Sequence, residues 1–457
     1  MNIVYFLTIF LSIFALLRYN KNDKTNRRQI MDYKMQLTPE EVAILNGNEG
    51  ETKAKILKTL VLFGDAVGAT NFIPIDCCGH LVTSFGLKMI DPVYKIMDEI
   101  IAAGLKAPNG FTVDPRPYDF ENVKCNFLEK LIFTKFMYSK QADYEAQLEK
   151  VGLKKNAFTC TCYLPEVGNV PKKGEVIGWA ESSAVVYANS VLGARCNRNS
   201  GMIDLFQSIL GRALNYGFTT DEGRRATWRV EVKTTKKPEA QILGSAIGMK
   251  VMEDVPYIVG LDKFIGTELN DDAKAYLKDM GAATASNGAV GLYHVDNLTP
   301  EAKEQGESLI VENAKTYVID DAELERVYKG YPVMWKNKDA KAKVAFIGCP
   351  HLTYSQLVNW TNNIVEGLKK SGKTKVTTQV VLTAAPQVAE KFRKTGDYKK
   401  LVATGARLSS ICPLMYTNNP ICGGKPIVTS SNKLRTYSKA KYMKDEDILK
   451  LITGQEA

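Results

Sequence analysis

The chain has 457 residues, of which 45% are hydrophobic and 24% charged, and its 60 Lys and Arg outnumber its 50 Asp and Glu. This composition excludes a disordered, collagen-like or disulfide-scaffold protein, and the length is enough for two or three domains. The net charge of +10 does not indicate nucleic acid binding, because residues 1–34 alone carry +4 and no basic run is interleaved with aromatic residues.

The amino-terminal segment, residues 1–34, is predicted to be an apolar leader followed by a basic linker. Residues 1–17 contain no charged side chain, and the first basic residue is Arg18. One interpretation is an N-terminal membrane anchor that leaves the rest of the chain in the cytoplasm, because the positive charges follow the apolar run. The other is that translation starts at Met31 or Met35.

The first folded element is predicted at residues 38–41, where Thr-Pro-Glu-Glu combines an N-cap, a proline at the first helical position and a glutamate at the third. Residues 35–335 mix helices and strands in an N-terminal α/β region without a readable inner boundary. Helices are predicted there at 320–328, capped by Asp320, and around 243–248. The lysine-rich stretch 336–343 opens a C-terminal α/β domain, residues 336–457.

The C-terminal domain has the clearest pattern. Strands are predicted at 344–347, 379–382, 407–411 and 426–429, and they alternate with helices at 353–370 and 386–402. Short connections between such elements are typical of an open parallel sheet flanked by helices, whose ligands bind beyond the carboxyl ends of the strands. Cys349, Cys412 and residues 430–433 all follow strands, so we expect them to lie at one edge of the sheet.

Nine cysteines in no regular spacing favour a reducing compartment, in which cysteines serve as ligands or core residues. Four of them follow apolar strands: Cys160, Cys162, Cys349 and Cys412. Thiolates gathered at a crevice suit an iron–sulfur cluster or zinc, and His80 or His351 are candidate further ligands for zinc. The alternative for the Cys-Thr-Cys pair is two buried thiols. Three other cysteines are interpreted as core or incidental: Cys125, Cys196 and Cys422.

Residues 181–198 combine serines at a predicted helix start with an arginine beyond its end. Residues 184–192 are predicted to form a buried helix, next to which Ser182 and Ser183 offer hydroxyls and the first turn offers free backbone N–H groups. With Arg195 just beyond Gly193, this pattern is typical of a receptor for a carboxylate or a phosphate. The alternative is ordinary N-capping followed by a surface arginine.

Seven stretches together resemble the aconitase X family of the aconitase superfamily. They are residues 38–41, G-x-x-x-G-A at 64–69, T-V-D-P-R-P at 112–117, F-T-C-T at 158–161, E-S-S-A-V-V-Y-A-N-S-V-L-G-A-R at 181–195, G-C-P-H at 348–351 and Cys412-Pro413. The resemblance implies an aconitase-like multi-domain α/β fold. It also implies a hydro-lyase that removes water from a small-molecule hydroxy acid.

Residue roles follow from the same resemblance. It implies that Cys160, Cys349 and Cys412 bind an iron–sulfur cluster with one iron open to the substrate hydroxyl. The implied substrate contacts are Gly79, His80, Ser182, Ser183, Asn189 and Arg195. Ser431 and Lys433 stand at the family's catalytic turn, where this chain has Ser-Asn-Lys instead of a Ser-Gly-Lys-like sequence. Two further departures are Cys162, where the family usually has proline, and the Cys77-Cys78 loop.

Enzymes of this family also need a small swivelling β-rich domain that supplies a serine base. Because 24 residues follow Lys433, the resemblance implies a separate small swivel-domain subunit, without which this chain is inactive. Residues 112–117 and the Gly79-His80 pair favour cis-3-hydroxy-L-proline as the substrate. The alternatives are the large subunit of a phosphomevalonate dehydratase and a non-catalytic protein with a structural metal.

Overall fold

The computed structural model describes residues 33–75, 77–82 and 84–455. The predicted leader at 1–17 and most of the basic linker therefore lie outside the described residues. Within the described part of the chain, no helix is long and apolar enough to cross a bilayer.

The strands are β1 (Phe72–Pro74), β2 (Gly79–Leu81), β3 (Phe111–Val113), β4 (Leu153–Phe158), β5 (Arg212–Leu214), β6 (Ala226–Val232), β7 (Pro256–Val259), β8 (His294–Val295), β9 (Ile310–Ile319), β10 (Val344–Leu352), β11 (Gln379–Ala384), β12 (Arg407–Ser409), β13 (Ile427–Thr429) and β14 (Lys441–Tyr442).

The α-helices are α1 (Pro39–Leu45), α2 (Glu51–Val67), α3 (Asp91–Ala102), α4 (Phe127–Leu131), α5 (Gln141–Val151), α6 (Ser182–Tyr187), α7 (Gly201–Leu210), α8 (Ala240–Val251), α9 (Asp262–Ile265), α10 (Asp271–Asn287), α11 (Pro300–Gln305), α12 (Asp321–Lys329), α13 (Tyr354–Lys370), α14 (Pro386–Arg393), α15 (Gly396–Ala403), α16 (Pro413–Thr417), α17 (Asn432–Tyr437) and α18 (Asp445–Thr453).

Three parallel sheets form the framework. The small sheet has the order β2-β3-β4, the middle sheet β8-β7-β6-β9 and the C-terminal sheet β12-β11-β10-β13-β14, and all their pairings are parallel. Strands β1 and β5 form a separate antiparallel pair. One continuous core of buried side chains extends from Cys162 to Ile452. The predicted α/β fold with a C-terminal open parallel sheet is thus confirmed, and the predicted division at residue 336 stays a prediction.

Local sequence signals account for most helix starts. Thr38 caps α1 in a reciprocal capping box with Glu41, and Thr353 caps α13 in the same way. Asp320 accepts a hydrogen bond from the backbone N–H of Glu323 at the start of α12. The segment predicted to be helical, 386–402, is helical apart from one break. The chain breaks it into α14 and α15, because Thr395 takes an extended conformation and caps the second helix.

Glycines allow α8 and α10 to pack closely in the middle region. A Cβ atom added to Gly244 would lie 2.2 Å from the Met280 carbonyl oxygen, and one added to Gly248 would lie 2.6 Å from the Thr284 carbonyl oxygen. Real Cβ atoms do not approach so closely, so both positions require glycine for this contact. The predicted glycine-containing helix is confirmed as α8.

A buried ion pair fastens the segment before the middle sheet to α11. The guanidinium of Arg224, which is 1% exposed, donates to both carboxylate oxygens of Glu301 at 2.6 and 2.8 Å. It also donates to the carbonyl oxygens of Phe218 and Asn189, each at 3.1 Å. Removing one partner of such a pair leaves a buried charge without compensation.

We expect Glu301→Gln to lower the free energy of unfolding by about 3 kcal/mol, because the buried guanidinium loses its counter-charge. Urea titration followed by circular dichroism measures this change. Glu325→Gln is the control, since its pair with Lys329 is exposed, and it should change the stability by less than about 0.5 kcal/mol. Equal effects of the two substitutions would contradict this account.

Candidate active site

The carboxyl ends of the small sheet and the C-terminal sheet meet. Ile411, two residues beyond β12, forms a parallel bridge with Arg116, and the next residue, Cys412, donates its backbone N–H to the Arg116 carbonyl at 2.9 Å. Arg116 follows β3 closely, so this bridge aligns the two sheets. Side chains that follow the strands of these two sheets therefore point into the same region of the structure.

Each of the three predicted cysteine ligands follows or ends a strand of these sheets. Cys160 lies two residues beyond β4. Cys349 comes after Gly348, whose φ of +107° redirects the chain and whose added Cβ would lie 2.6 Å from the Thr383 carbonyl oxygen. Cys412 caps α16 just beyond β12. The prediction that Cys349, Cys412 and residues 430–433 share one edge agrees with this arrangement.

Cys160 and Cys412 each lie within electrostatic reach of Cys349. Burial raises the pKa of all three thiols, and negative charge on Cys349 raises the pKa of Cys160 and Cys412 further. The Lys433 ammonium lowers the pKa of each. The backbone N–H of His351 donates to Cys160 Sγ at 3.4 Å, and the Ser431 hydroxyl donates to the backbone carbonyl of Cys349. The donor set therefore fits a cationic group that binds thiolates.

Sulfurs bound to one tetrahedral zinc, with Zn–S bonds of about 2.3 Å, lie about 3.8 Å apart. In the described part of the chain, two groups have all their ligand atoms within 4.8 Å of one another, and neither contains these three cysteines. In this conformation the three thiols therefore do not form a compact site for one zinc ion.

A buried ion pair adjoins the cysteines. The Lys433 ammonium contacts Glu181 Oε1 and donates to Ser183 Oγ at 3.1 Å. Glu181 Oε2 accepts hydrogen bonds from Ser183 Oγ at 2.7 Å and from the Ala184 N–H at 2.6 Å. Burial opposes the charge on Glu181, but Lys433 and the hydrogen bonds outweigh it and lower the pKa of Glu181 to about 2. Burial likewise opposes the charge on Lys433, yet its anionic neighbours raise the pKa of Lys433 well above its usual value.

At the start of α6 the structure shows N-capping, the alternative given above, and the role of residues 181–195 as an anion receptor stays a prediction. Glu181 itself caps α6 and occupies the N–H group of Ala184, so the helix start already holds a carboxylate. The helix also changes after Tyr187 into a π-helical turn over Ala188–Leu192. Ser182 and Ser183 nevertheless lie beside Lys433 through their hydrogen bonds to Glu181.

The structure does not bring Asn189 and Arg195 into contact with Lys433 or the cysteines. The Asn189 amide is 1% exposed and bonds the Cys196 N–H, the Cys196 carbonyl and the Gly291 carbonyl at 2.8–2.9 Å. Arg195 donates to the Thr219 carbonyl at 3.0 Å and pairs with exposed Asp221. Both side chains fasten loops here, and their predicted role as substrate contacts stays a prediction.

Two further predicted site residues, Gly79 and Ser431, make packing and capping contacts. The Gly79 carbonyl accepts from the Asn169 amide at 3.0 Å, and a Cβ there would lie 2.6 Å from Ser208 Oγ, so Gly79 serves strand packing. The Ser431 hydroxyl donates to the Cys349 carbonyl and accepts from the Leu434 N–H, so it caps α17 and holds the cysteine segment. It thereby positions Lys433, two residues on.

His80 and Asp114 form a second buried pair at this site. His80 Nδ1 shares a hydrogen bond of 2.7 Å with the Thr112 hydroxyl, and its Nε2 lies 3.8 Å from Asp114 Oδ1. Both of these facing atoms are buried, and neither has a hydrogen-bond partner among the described residues. Burial lowers the pKa of His80 to about 4 and raises the pKa of Asp114 well above its usual value. At neutral pH the imidazole is therefore uncharged, and the Asp114 carboxyl binds a proton more readily than an exposed aspartate.

Glu181 and Asp114 were missed as site residues by the sequence analysis. Asp114 stands directly after β3, within the T-V-D-P-R-P stretch, and Glu181 begins the E-S-S stretch. Trp179 forms a parallel bridge with His80 of β2, which brings Glu181 to the same edge of the small sheet. A carboxylate immediately after a buried strand was the available signal.

We expect the His80 ring to stay uncharged from pH 8 down to about 5, because its folded pKa is about 4. Long-range ¹H–¹⁵N spectra measure this, and His80→Gln assigns the signal among the three histidines. In the unfolded chain the ring binds a proton near pH 6.5, so the free energy of unfolding should fall as the pH falls from about 6.5 to about 4, by up to about 3 kcal/mol. His80→Gln should remove that part. A ring midpoint near pH 6.5 in the folded protein would contradict the buried, uncharged His80.

Comparison with known proteins agrees with this geometry. Sequence profiles match the Aconitase X first domain over residues 34–222, the second domain over 226–329 and the third domain over 342–451. The crystal structure of Thermococcus kodakaraensis aconitase X (holo-form) has a TM-score of 0.75 and 28% identity, with 92% of this chain and 100% of that chain covered.

Two relatives of this chain have names that specify different substrates. The chain is 33% identical over 342 residues to the phosphomevalonate dehydratase large subunit of Thermococcus kodakarensis, which covers 74% of this chain and 78% of that protein. It is 26% identical over 409 residues to the cis-3-hydroxy-L-proline dehydratase of Pseudomonas aeruginosa, which covers 87% of this chain and 65% of that protein. Since the three profiles together span most of its length, the chain belongs to the aconitase X family, and its named relatives are dehydratases, that is, hydro-lyases.

Proposed function

We propose that this chain is the large subunit of a phosphomevalonate dehydratase. The support is the higher identity to a relative of that name, 33% over 342 residues, than to a cis-3-hydroxy-L-proline dehydratase, 26% over 409 residues. The sequence motifs favoured cis-3-hydroxy-L-proline, and the comparisons favour the reverse order. cis-3-Hydroxy-L-proline is kept as the second candidate because its dehydratases are also relatives.

Both candidate substrates present the same reacting atoms. Each carries a hydroxyl on the carbon β to a carboxylate, so dehydration removes that hydroxyl and a proton from the α-carbon. The site must hold a carboxylate, promote loss of hydroxide and accept a proton. The observation that carries the proposal is that Cys160, Cys349 and Cys412 converge beside the Glu181–Lys433 and His80–Asp114 pairs.

We propose that Cys160, Cys349 and Cys412 hold an iron–sulfur cluster. When bound, such a cluster with one iron not ligated by the protein supplies a Lewis acid for the departing hydroxyl. Lys433 keeps its proton under the influence of Glu181, so it acts as a fixed positive charge that compensates thiolates and attracts a substrate carboxylate. Ser183 orients it through the 3.1 Å hydrogen bond.

We propose that Asp114 and His80 take part in proton transfer to the departing hydroxyl group. Burial raises the pKa of Asp114 well above its usual value, and its Oδ1 lies 3.8 Å from Nε2 of the uncharged His80 imidazole. A protonated carboxyl in a buried site is suited to donate to developing hydroxide, as a general acid does. The unpartnered His80 Nε2 can hold a water beside Asp114.

A phosphate group on the substrate requires a further cation. Arg198 lies within electrostatic reach of Glu181, and its side chain makes one long hydrogen bond of 3.5 Å to the Ala285 carbonyl. It is exposed, so it is free to bind a phosphate with two parallel N–H groups. We propose Arg198 as the residue that distinguishes a phosphorylated substrate from an unphosphorylated one.

A separate small subunit is also part of the proposal. The relative from Thermococcus kodakarensis is named a large subunit, which supports a small partner for this chain. The swivel-domain subunit implied by the sequence resemblance would complete the site and supply the base for the α-proton.

The test is an anaerobic assay of the complex recovered by affinity capture of this chain from its own cells. Phosphomevalonate and cis-3-hydroxy-L-proline are offered separately, and loss of one water is followed by ultraviolet absorbance and mass spectrometry. We expect turnover of phosphomevalonate. Turnover of cis-3-hydroxy-L-proline without turnover of phosphomevalonate would overturn the substrate assignment.

Two variants separate the roles within this assay. Lys433→Met should lower kcat by at least about 100-fold, because the charge beside the reacting atoms is lost. Arg198→Gln should raise KM for phosphomevalonate more than it lowers kcat, and should leave KM for an unphosphorylated hydroxy acid unchanged. If Arg198→Gln left both constants unchanged, Arg198 would have no part in phosphate binding.

A further inference from the structure

A second cluster of potential ligands lies apart from the candidate active site. The Sγ atoms of Cys125 and Cys422 and a carboxylate oxygen of Glu129 all lie within 4.8 Å of one another. Cys125 stands just before α4, and Cys422 begins the short turn Cys422–Gly424 that follows α16. None of the three residues contacts Lys433, Glu181 or the three site cysteines by a hydrogen bond or ion pair. We call them the Cys125–Glu129–Cys422 cluster.

The carboxylate of this cluster is oriented toward the thiols. Glu129 is 1% exposed, and its Oε2 accepts the backbone N–H of Asn126 at 2.9 Å, which fixes the carboxylate plane. Its Oε1 is buried and forms an ion pair with the Lys425 ammonium at 2.5 Å.

The apolar surroundings make any charge in this cluster dependent on a compensating charge. Cys422 and Tyr416 belong to a buried apolar cluster with Phe133, Phe346 and Cys349. A buried carboxylate beside two thiols in such surroundings costs free energy unless charge compensates it. Lys425 supplies one positive charge, and its side chain is 27% exposed, so it can move toward solvent.

We propose that Cys125, Glu129 and Cys422 bind a thiophilic divalent transition-metal ion of the zinc class. Two thiolates and one carboxylate are ligands that zinc prefers, and a water completes the tetrahedron. Binding releases the two thiol protons. With Lys425 nearby, two thiolates, one carboxylate, one ammonium and one dication leave the site formally neutral.

The position of the cluster gives the ion a structural role. The side-chain amide of Asn419 donates a hydrogen bond to the Glu129 carbonyl at 3.4 Å. The Asn419 side-chain oxygen also accepts a hydrogen bond from the backbone N–H of Cys422 at 3.2 Å. An ion bound across Cys125 and Cys422 would therefore tie α4 to the segment that continues from Cys412 and α16. It would hold one predicted ligand of the active-site cluster in position.

Cobalt(II) is the probe, because thiolate ligands give it a charge-transfer absorption that zinc lacks. The full chain, purified anaerobically and stripped with chelator, is titrated with cobalt(II) and then with zinc(II). We expect about one equivalent of cobalt(II) absorption that persists in Cys349→Ser and is lost in Cys125→Ser and Cys422→Ser. Zinc(II) should displace cobalt(II) and raise Tm, since it binds the folded state.

Two variants that each remove one charged side chain test the proposal even if a cysteine variant folds poorly. Lys425→Gln removes the competing ammonium and should bind cobalt(II) at least as tightly as the unmodified chain, whereas Glu129→Gln should bind it at least tenfold more weakly. Absorption that is lost in Cys349→Ser and kept in Cys422→Ser would overturn the proposal. A Cys125–Cys422 disulfide found by mass spectrometry in protein that binds no cobalt(II) after reduction would overturn it as well.

Discussion

Three thiols distant in sequence and one ammonium group share a small buried volume, and the stability of this arrangement depends on charge compensation. Negative charge on Cys349 would raise the cost of ionising Cys160 and Cys412, while Lys433 lowers this cost for all three thiols. Lys433 in turn remains charged because Glu181 lies against it. This charge balance supports the proposals of a bound cationic group and an anionic substrate, since each would compensate charges that the side chains leave partly uncompensated.

The fold produces this volume by opposing two parallel sheets. Side chains just beyond β3, β4, β12 and β13, together with Cys349 near the end of β10, point into it because carboxyl ends of parallel strands meet at one edge. The bridge between Arg116 and Ile411 fixes the alignment of the sheets. Ser431 then links neighbouring segments, since it caps α17 and also bonds the Cys349 carbonyl. The alignment of the two sheets, the start of α17 and the position of the Cys349 segment thus depend on three residues: Arg116, Ile411 and Ser431.

Local patterns in the sequence were sufficient for elements whose signals lie within a few residues. The capping boxes at Thr38 and Thr353 and the strand-helix alternation after residue 344 predicted the C-terminal sheet and its cysteine edge. Long-range contacts were not predictable. Nothing near Glu181 indicates that its carboxylate pairs with Lys433, and nothing near Arg195 indicates that it turns to Asp221. Cys125 and Cys422 were interpreted as core residues, because their proximity to Glu129 arises only in the folded chain.

The central claim is that Cys160, Cys349 and Cys412 bind one iron–sulfur cluster. The most direct measurement is the iron and sulfide content and visible absorbance of the anaerobically reconstituted chain and of its Cys→Ser variants. The account predicts that Cys160→Ser, Cys349→Ser and Cys412→Ser each lose the cluster absorbance, whereas Cys196→Ser, a buried thiol bonded to Trp179, keeps it. Full absorbance in any of the three ligand variants, or none in the unmodified chain, would contradict the account.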